Sequence, residues 1–428
     1  MVSVPRPRAA GLRGRLVRLA VRFVRRYGLL PAGMPDRRGD DDRLAGTSLD
    51  QTVMVYFPDT RQSLYQLRQW YRPLRALDAL HRVVVVCQDS RSAAAVREES
   101  GLPALTIAHY RRLDDLLSRS EVKLALYVNH SPQNFSALRF TSLAHVYLSH
   151  GESDKGVMVS NQCKAYDFWF VAGRAAIERI SSRVMFYDAE ARCIPVGRPQ
   201  LDEPVVTGPA AAPGARPTVL YAPTWEGAQP SLAYGSLPTH GVPLVRALLA
   251  DGRWAVAYRP HPLTGVSIPA HGDADAEVRR LVTEAAAADP TAGHRVDVDR
   301  ELTEVLADAD LLVCDVSAVA MDWLPSGRPL VVTEPADPGV VTAGTRLLDV
   351  VPRLPSDVAA DAERLLALVD RELREDPTRT RRLALVEHYL GDTSPGAATA
   401  RFVDACTEVI ARRDAEWARV VAHGPAGP

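Results

Sequence analysis

Asp310-Leu311-Leu312-Val313-Cys314-Asp315-Val316-Ser317-Ala318-Val319-Ala320-Met321-Asp322-Trp323-Leu324 is the stretch whose reading decides the fold. The run after Asp310 is continuous and apolar, as in a strand buried on both faces, and beyond Ser317 the apolar residues recur at helical spacing. The turn between them falls at Asp315-Val316-Ser317, and Ser317 suits a helix N-cap. Open backbone N–H groups and the positive end of a helix dipole, placed at the carboxyl end of a parallel strand, bind an anion, most often a phosphate or pyrophosphate. A plain strand-to-helix cap has the same appearance, so the reading depends on the loops around it.

Three loops of the second half share this placement. Tyr221-Ala222-Pro223-Thr224-Trp225-Glu226-Gly227 follows the strand-like Thr218-Val219-Leu220-Tyr221, Tyr258-Arg259-Pro260-His261-Pro262 follows the strand expected over 254–258, and Asp315-Val316-Ser317 follows the strand over 310–314. A further strand is expected over 329–333. In a parallel sheet these loops open at the end where α/β folds take up ligands. Pro223, Thr224, Arg259, His261, Asp315 and Ser317 are therefore candidate binding residues. Arg259 carries a permanent charge in a bidentate fork, and the prolines flanking His261 stiffen its backbone, which also fits a structural histidine.

Upstream, Thr207-Gly208-Pro209-Ala210-Ala211-Ala212-Pro213-Gly214-Ala215-Arg216-Pro217 is a linker by composition, and the expected boundary between two α/β halves falls in or just before it. The first half alternates strands, over 52–57, 82–87, 122–128, 145–149, 167–171 and 193–196, with helical segments such as the one expected over 64–80. Its chemistry-bearing stretch is Ser149-His150-Gly151-Glu152-Ser153-Asp154-Lys155-Gly156. His150 ends a strand, Gly151 allows a tight turn, and Lys155 is one of only three lysines, with Lys123 and Lys164. An imidazole at a cleft edge, facing a phosphate site on the other domain, can take a proton from an attacking hydroxyl; a strand-end histidine bonded to a carbonyl is the alternative.

A chain of 428 residues exceeds one hydrophobic core, and 46% hydrophobic with 24% charged residues is an ordinary globular balance. The expected divisions are 1–46, a basic amphipathic helix and linker; 47–206 and 207–395, two Rossmann-like domains; and 396–428, a terminal helix that braces the first domain. The net charge of -1 conceals a basic N-terminal arm without an acid before Asp36. There Leu12, Leu16, Leu19, Phe23 and Tyr27 recur at helical spacing among arginines, a pattern that suits an anionic membrane surface through residues 6–30. No apolar h-region of a secretory signal and no spanning segment is present. Basic charge confined to one arm gives little support to nucleic-acid binding. Cys87, Cys163, Cys193, Cys314 and Cys406 are odd in number and without a CxxC pair, as expected of reduced core thiols in a cytosolic protein.

Ser149 to Lys155, Ala165-Tyr166-Asp167-Phe168-Trp169-Phe170-Val171, Val196-Gly197-Arg198-Pro199-Gln200-Leu201-Asp202, Leu220 to Trp225, Arg259 to Pro262 and Cys314 to Asp322 together resemble the CDP-glycerol glycerophosphotransferase family of teichoic acid primases and polymerases. The resemblance runs from about residue 145 to about residue 400. It implies a GT-B fold of two Rossmann-like domains facing a central cleft, with the nucleotide of CDP-glycerol in the C-terminal domain. It implies transfer of glycerol phosphate to a lipid-linked cell-wall or surface-polymer acceptor, at the inner face of the plasma membrane. On the matching positions, His150 is the general base and His261 the contact to the donor pyrophosphate; Gly151, Lys155, Pro223, Thr224, Arg259, Asp315, Ser317 and Asp322 are the candidate substrate-binding residues expected beside them.

The chain departs from the family pattern in three places. Glu152-Ser153-Asp154 makes the expected acceptor segment more acidic, Glu226 stands where a basic residue is common, and Ser317-Ala318 replaces paired serines. A different donor is the alternative these changes raise: a GT-B glycosyltransferase, or a polyol- or sugar-phosphate transferase, of surface polysaccharide synthesis. A non-catalytic nucleotide-binding protein of the same fold is the other. No carboxylate cluster with ligand spacing stands in the sequence, so no resident cofactor is expected, and Mg²⁺ would arrive with the nucleotide donor.

Overall fold

The computed structural model describes residues 40–202, 216–227, 233–335, 340 and 346–423. The basic amphipathic helix expected within residues 6–30 and most of the linker expected at 207–217 lie outside the described residues.

Runs of β-branched and aromatic residues form the strands. β1 (Val53–Phe57), β2 (Val83–Cys87), β3 (Ala104–Thr106), β4 (Leu124–Tyr127), β5 (Ala144–Tyr147), β6 (Phe168–Val171) and β7 (Cys193–Pro195) make a sheet in the order β3-β2-β1-β4-β5-β6-β7. β8 (Thr218–Ala222), β9 (Ala255–Tyr258), β10 (Arg295–Val296), β11 (Leu311–Cys314), β12 (Leu330–Thr333) and β13 (Arg353–Leu354) make a second, in the order β10-β9-β8-β11-β12-β13. The described pairings are parallel, as short apolar runs separated by helices require. In the second sheet the order reverses between β8 and β11, which is where a doubly wound sheet opens a crevice at the carboxyl ends of its strands.

Alternate residues of the second sheet feed two cores. Leu220, Ala222, Leu312, Cys314, Leu330 and Val332 face one, and Val219, Tyr221, Leu311, Val313 and Val331 face the other. A sheet covered on both faces has no solvent-facing row to alternate with, so its strands read as unbroken apolar runs.

By its contacts the chain divides into two compact units, Met1–Val146 with Thr407–Pro428, and Tyr147–Cys406. The terminal helix Ala397–His423 contributes its last part to the first unit, where Asp414 pairs with Lys123 at 2.6 Å and Thr407 Oγ1 lies 2.8 Å from His81 Nε2. The helix expected over 64–80 is broken into Tyr65–Arg68 and Tyr71–Asp78. The interruption places Pro73 in the first turn of the second piece, where its missing N–H removes no helical hydrogen bond.

Candidate active site

The candidate residues His150, Gly151, Lys155, Pro223, Thr224, Arg259, His261, Asp315, Ser317 and Asp322 all fall in the unit Tyr147–Cys406. The sequence expectation divided them between two domains, with His150 in the first; the contacts group His150 with the rest.

Asp315, directly after β11, is the post between the loops. Its Oδ2 accepts the backbone N–H groups of Thr224 at 2.7 Å and Ser236 at 3.2 Å, and its Oδ1 accepts the Thr333 hydroxyl at 2.6 Å. Burial raises its pKa and these donors oppose the rise. Read in the sequence as a substrate contact, Asp315 uses both oxygens on the chain itself, joining the ends of β8, β11 and β12 at the point of reversal. Asp322 is similarly engaged: Arg198 holds it with hydrogen bonds of 2.8, 3.0 and 3.1 Å in a buried pair. Ser317 occupies the N-cap of the six-residue helix Ala318–Trp323 with extended backbone, but the expected capping hydrogen bond is absent and the hydroxyl lies beside the Cys314 thiol.

In the loop after β5 the turn expected at Gly151 falls elsewhere. Ser149, not Gly151, takes the left-handed backbone, with φ 60°, and its hydroxyl donates to the Gly151 carbonyl at 2.9 Å. Gly151 is needed for closeness instead. A Cβ there would lie 2.9 Å from the Ala318 Cβ, so the loop and the start of the Ala318–Trp323 helix meet through the two smallest side chains available. Lys155 then crosses to the loop after β8, its Nζ donating to Thr224 Oγ1 at 2.9 Å and standing 5.4 Å from the centre of the Tyr234 ring. Burial lowers its pKa to about 8, against the pull of the Asp315 charge. The Gly156 N–H donates to the Tyr234 hydroxyl at 2.9 Å.

His261 stacks on Trp225, with centroids 6.2 Å apart and planes 19° apart. Its Nδ1 accepts the Leu263 N–H at 3.1 Å, which in the neutral ring leaves the proton on Nε2. Burial, and then the charges of Lys155 and His150, bring its pKa down to about 3, with Glu226 opposing. His261 is therefore a neutral N–H donor close to a cationic amine. Arg259 donates to the Arg300 carbonyl at 2.7 Å, and burial lowers its pKa, with the Asp297 and Glu301 charges opposing. Pro223 is buried between β8 and Thr224 and sets the direction of that loop.

The acidic departures turn inward. Glu226 accepts N–H groups from Gly265, Ser267 and Ile268 at 3.0, 2.7 and 3.1 Å. Burial pushes its pKa up, but these donors prevail and hold it below the usual value. Glu226 thereby fixes the segment that follows His261. Glu152 and Asp154, expected to make the acceptor segment acidic, are buried and both paired with Arg179. Sequence reading passed over Arg179 and Tyr234. The available signal for Arg179 was its place on the apolar face of the helix Arg174–Arg183, with Ala175, Ala176 and Ile180. Among the described residues no group of three or more His, Cys, Asp or Glu is placed to hold a metal ion.

At the switch point the loops bring together a neutral histidine N–H and a lysine, donors suited to a diphosphate. The family model for CDP-Glycerol:Poly(glycerophosphate) glycerophosphotransferase matches residues 140–408. The chain belongs to this family. It is a transferase of the CDP-glycerol glycerophosphotransferase type. No curated protein matches its sequence. Among solved structures, the wall teichoic acid polymerase TagF aligns with TM-score 0.52 and 13% identity over 93% of this chain and 98% of that chain. A CDPG-soaked form of TagF aligns with TM-score 0.51 and 12% identity over the same shares, 93% and 98%. MnaA of S. aureus with UDP aligns with TM-score 0.52 and 12% identity, over 82% of this chain and 95% of that chain. At these identities the likeness is one of fold, and the fold of this family member is GT-B.

Proposed function

We propose that the chain transfers glycerol phosphate from CDP-glycerol to a hydroxyl of a lipid-linked surface-polymer acceptor, in teichoic acid or related synthesis. His150 takes the proton of the acceptor hydroxyl, the oxygen attacks the β-phosphorus, and the P–O bond to CMP breaks with its electron pair leaving on CMP. His261, through Nε2–H, holds the diphosphate with Arg259, while Lys155 and Thr224 border the transferred phosphoryl group. The observation that carries this reading is the His261 ring, with Nδ1 occupied by the Leu263 N–H and its proton on Nε2, near the Lys155 amine, two donors suited to charge building on a bridging oxygen. Any Mg²⁺ is proposed to enter with the donor.

The test is incubation of the purified protein with a panel of nucleotide diphospho-alcohols and nucleotide sugars. CMP release from CDP-glycerol is the expected result. UDP release from a UDP-sugar would instead favour a glycosyltransferase with another donor. His150→Ala is expected to lower kcat by about 10²–10⁴, the worth of a positioned base, with the donor KM nearly kept. His261→Ala is expected to raise the donor KM and lower kcat together.

No helix among the described residues is long and apolar enough to cross a membrane. Contact with the inner membrane face is proposed to run through residues 6–30, and flotation with anionic liposomes tests it. Undiminished binding after deletion of residues 1–30 removes that assignment.

A further inference from the structure

The segment carrying His150 and Lys155 is gripped from behind by one side chain. Arg179, on the helix Arg174–Arg183, is buried and donates from Nη1 to Asp154 Oδ1 at 2.6 Å and from Nη2 to Glu152. Asp154 also accepts the Tyr389 hydroxyl at 3.0 Å, and that hydroxyl accepts the Leu347 N–H at 3.2 Å. Glu152 lies two residues after His150 and Asp154 immediately before Lys155, so both groups assigned to chemistry flank the two carboxylates that Arg179 holds. The segment is also held by Lys155 to Thr224 and Gly156 to Tyr234.

Stability alone is a poor account of the arrangement. Burying three charged groups costs more than packing apolar residues of similar volume, and a guanidinium facing two carboxylates leaves an excess negative charge when all are ionised. Burial duly pushes the Asp154 carboxyl up to about 6, with Arg179 opposing and Glu152 reinforcing the rise. A guanidinium fork has fixed hydrogen-bond directions, so it can set the position of the two carboxylates it holds.

We propose that Arg179 is a positioning residue for the transfer step, setting through Glu152 and Asp154 where the His150 imidazole and the Lys155 amine stand. The proposal rests on the phosphotransfer reading above. Arg179 acts on the reaction without touching substrate.

The decisive variant removes the three charges together, Arg179→Met with Glu152→Gln and Asp154→Asn, so that no buried charge is left alone. A thermal midpoint within a few degrees of wild type, a fall in kcat of at least about 10-fold with a CDP-glycerol KM within about 3-fold, and faster amide hydrogen exchange across 150–156 are expected. A folded triple variant with wild-type kcat, or with unchanged exchange across 150–156, overturns the proposal. If the triple variant does not fold, Asp154→Asn decides. It relieves the excess charge and keeps a hydrogen-bonding oxygen, so a purely structural role predicts a higher thermal midpoint and unaltered kcat, whereas positioning predicts a lowered kcat in a protein at least as stable. The exchange measurement needs no donor. Failure of wild type to release CMP would therefore count against the reaction assigned to the site, while exchange across 150–156 would still report on the grip.

Discussion

Lys155 gives up its proton near pH 8 in the folded chain, against 10.5 for an ordinary lysine, because burial disfavours the ammonium. The ammonium is thus present below about pH 8 and lost above it. If it stabilises the transferred phosphoryl group, kcat/KM should decline as pH rises through about 8, and Lys155→Arg should abolish that limb while lowering the rate. Persistence of the limb in Lys155→Arg would assign it to another group. His261, neutral above about pH 3, should contribute no limb across the working range. Gly151 offers a test of packing. Gly151→Ala sets two methyl carbons 2.9 Å apart and is expected to cost about 1–3 kcal/mol in denaturant titrations, with Ala318→Gly in the same chain restoring most of it. At this scale the sequence pointed to the loops but not to what each of their residues touches. His261 and Lys155 were legible because a histidine between prolines and a rare lysine are conspicuous. The inward turn of Glu152, Asp154, Glu226 and Asp322 was not, because a carboxylate's partner is fixed by residues far away in the chain.

At the scale of elements, the loops after β8, β11 and β12 are fastened by one carboxylate. Asp315→Ala leaves the Thr224 and Ser236 amides and the Thr333 hydroxyl without their acceptor, and each buried donor so stranded costs about 1–3 kcal/mol. A loss of about 3 kcal/mol or more by chemical denaturation is expected; a change near zero would mean that the loops are held by packing alone. Asp322→Ala should be at least as damaging, about 3–5 kcal/mol, because it strands the buried Arg198 cation, and replacing both partners with apolar residues should recover much of the loss. The strands themselves were readable from their apolar runs. β3, β10 and β13 were missed because two- and three-residue strands carry no period of their own and exist through their neighbours' hydrogen bonds. The break at 69–70 was missed because the apolar spacing over 64–80 continues through it.

Over the whole molecule, alternating strands and helices were enough to expect two parallel sheets, since only that arrangement buries both faces of so many apolar runs. Contact grouping is different in kind. The unit Tyr147–Cys406 begins where β5 ends, far from the Pro/Gly/Ala segment, because composition marks where a chain is free to turn and contacts mark what it packs against. The cysteines share an environment as well. Cys87, Cys163, Cys193, Cys314 and Cys406 are all buried, and burial raises every one of these thiols. A thiol-reactive chromophore is expected to find no fast-reacting group in the native protein and five after denaturation. The chain therefore comes ready for labelling without prior removal of its own sulfhydryls. Cysteines introduced at the exposed Ser118, in one unit, and Ser356, in the other, would accept a donor and acceptor dye, and energy transfer between them would follow in real time whether nucleotide changes the spacing of the two units.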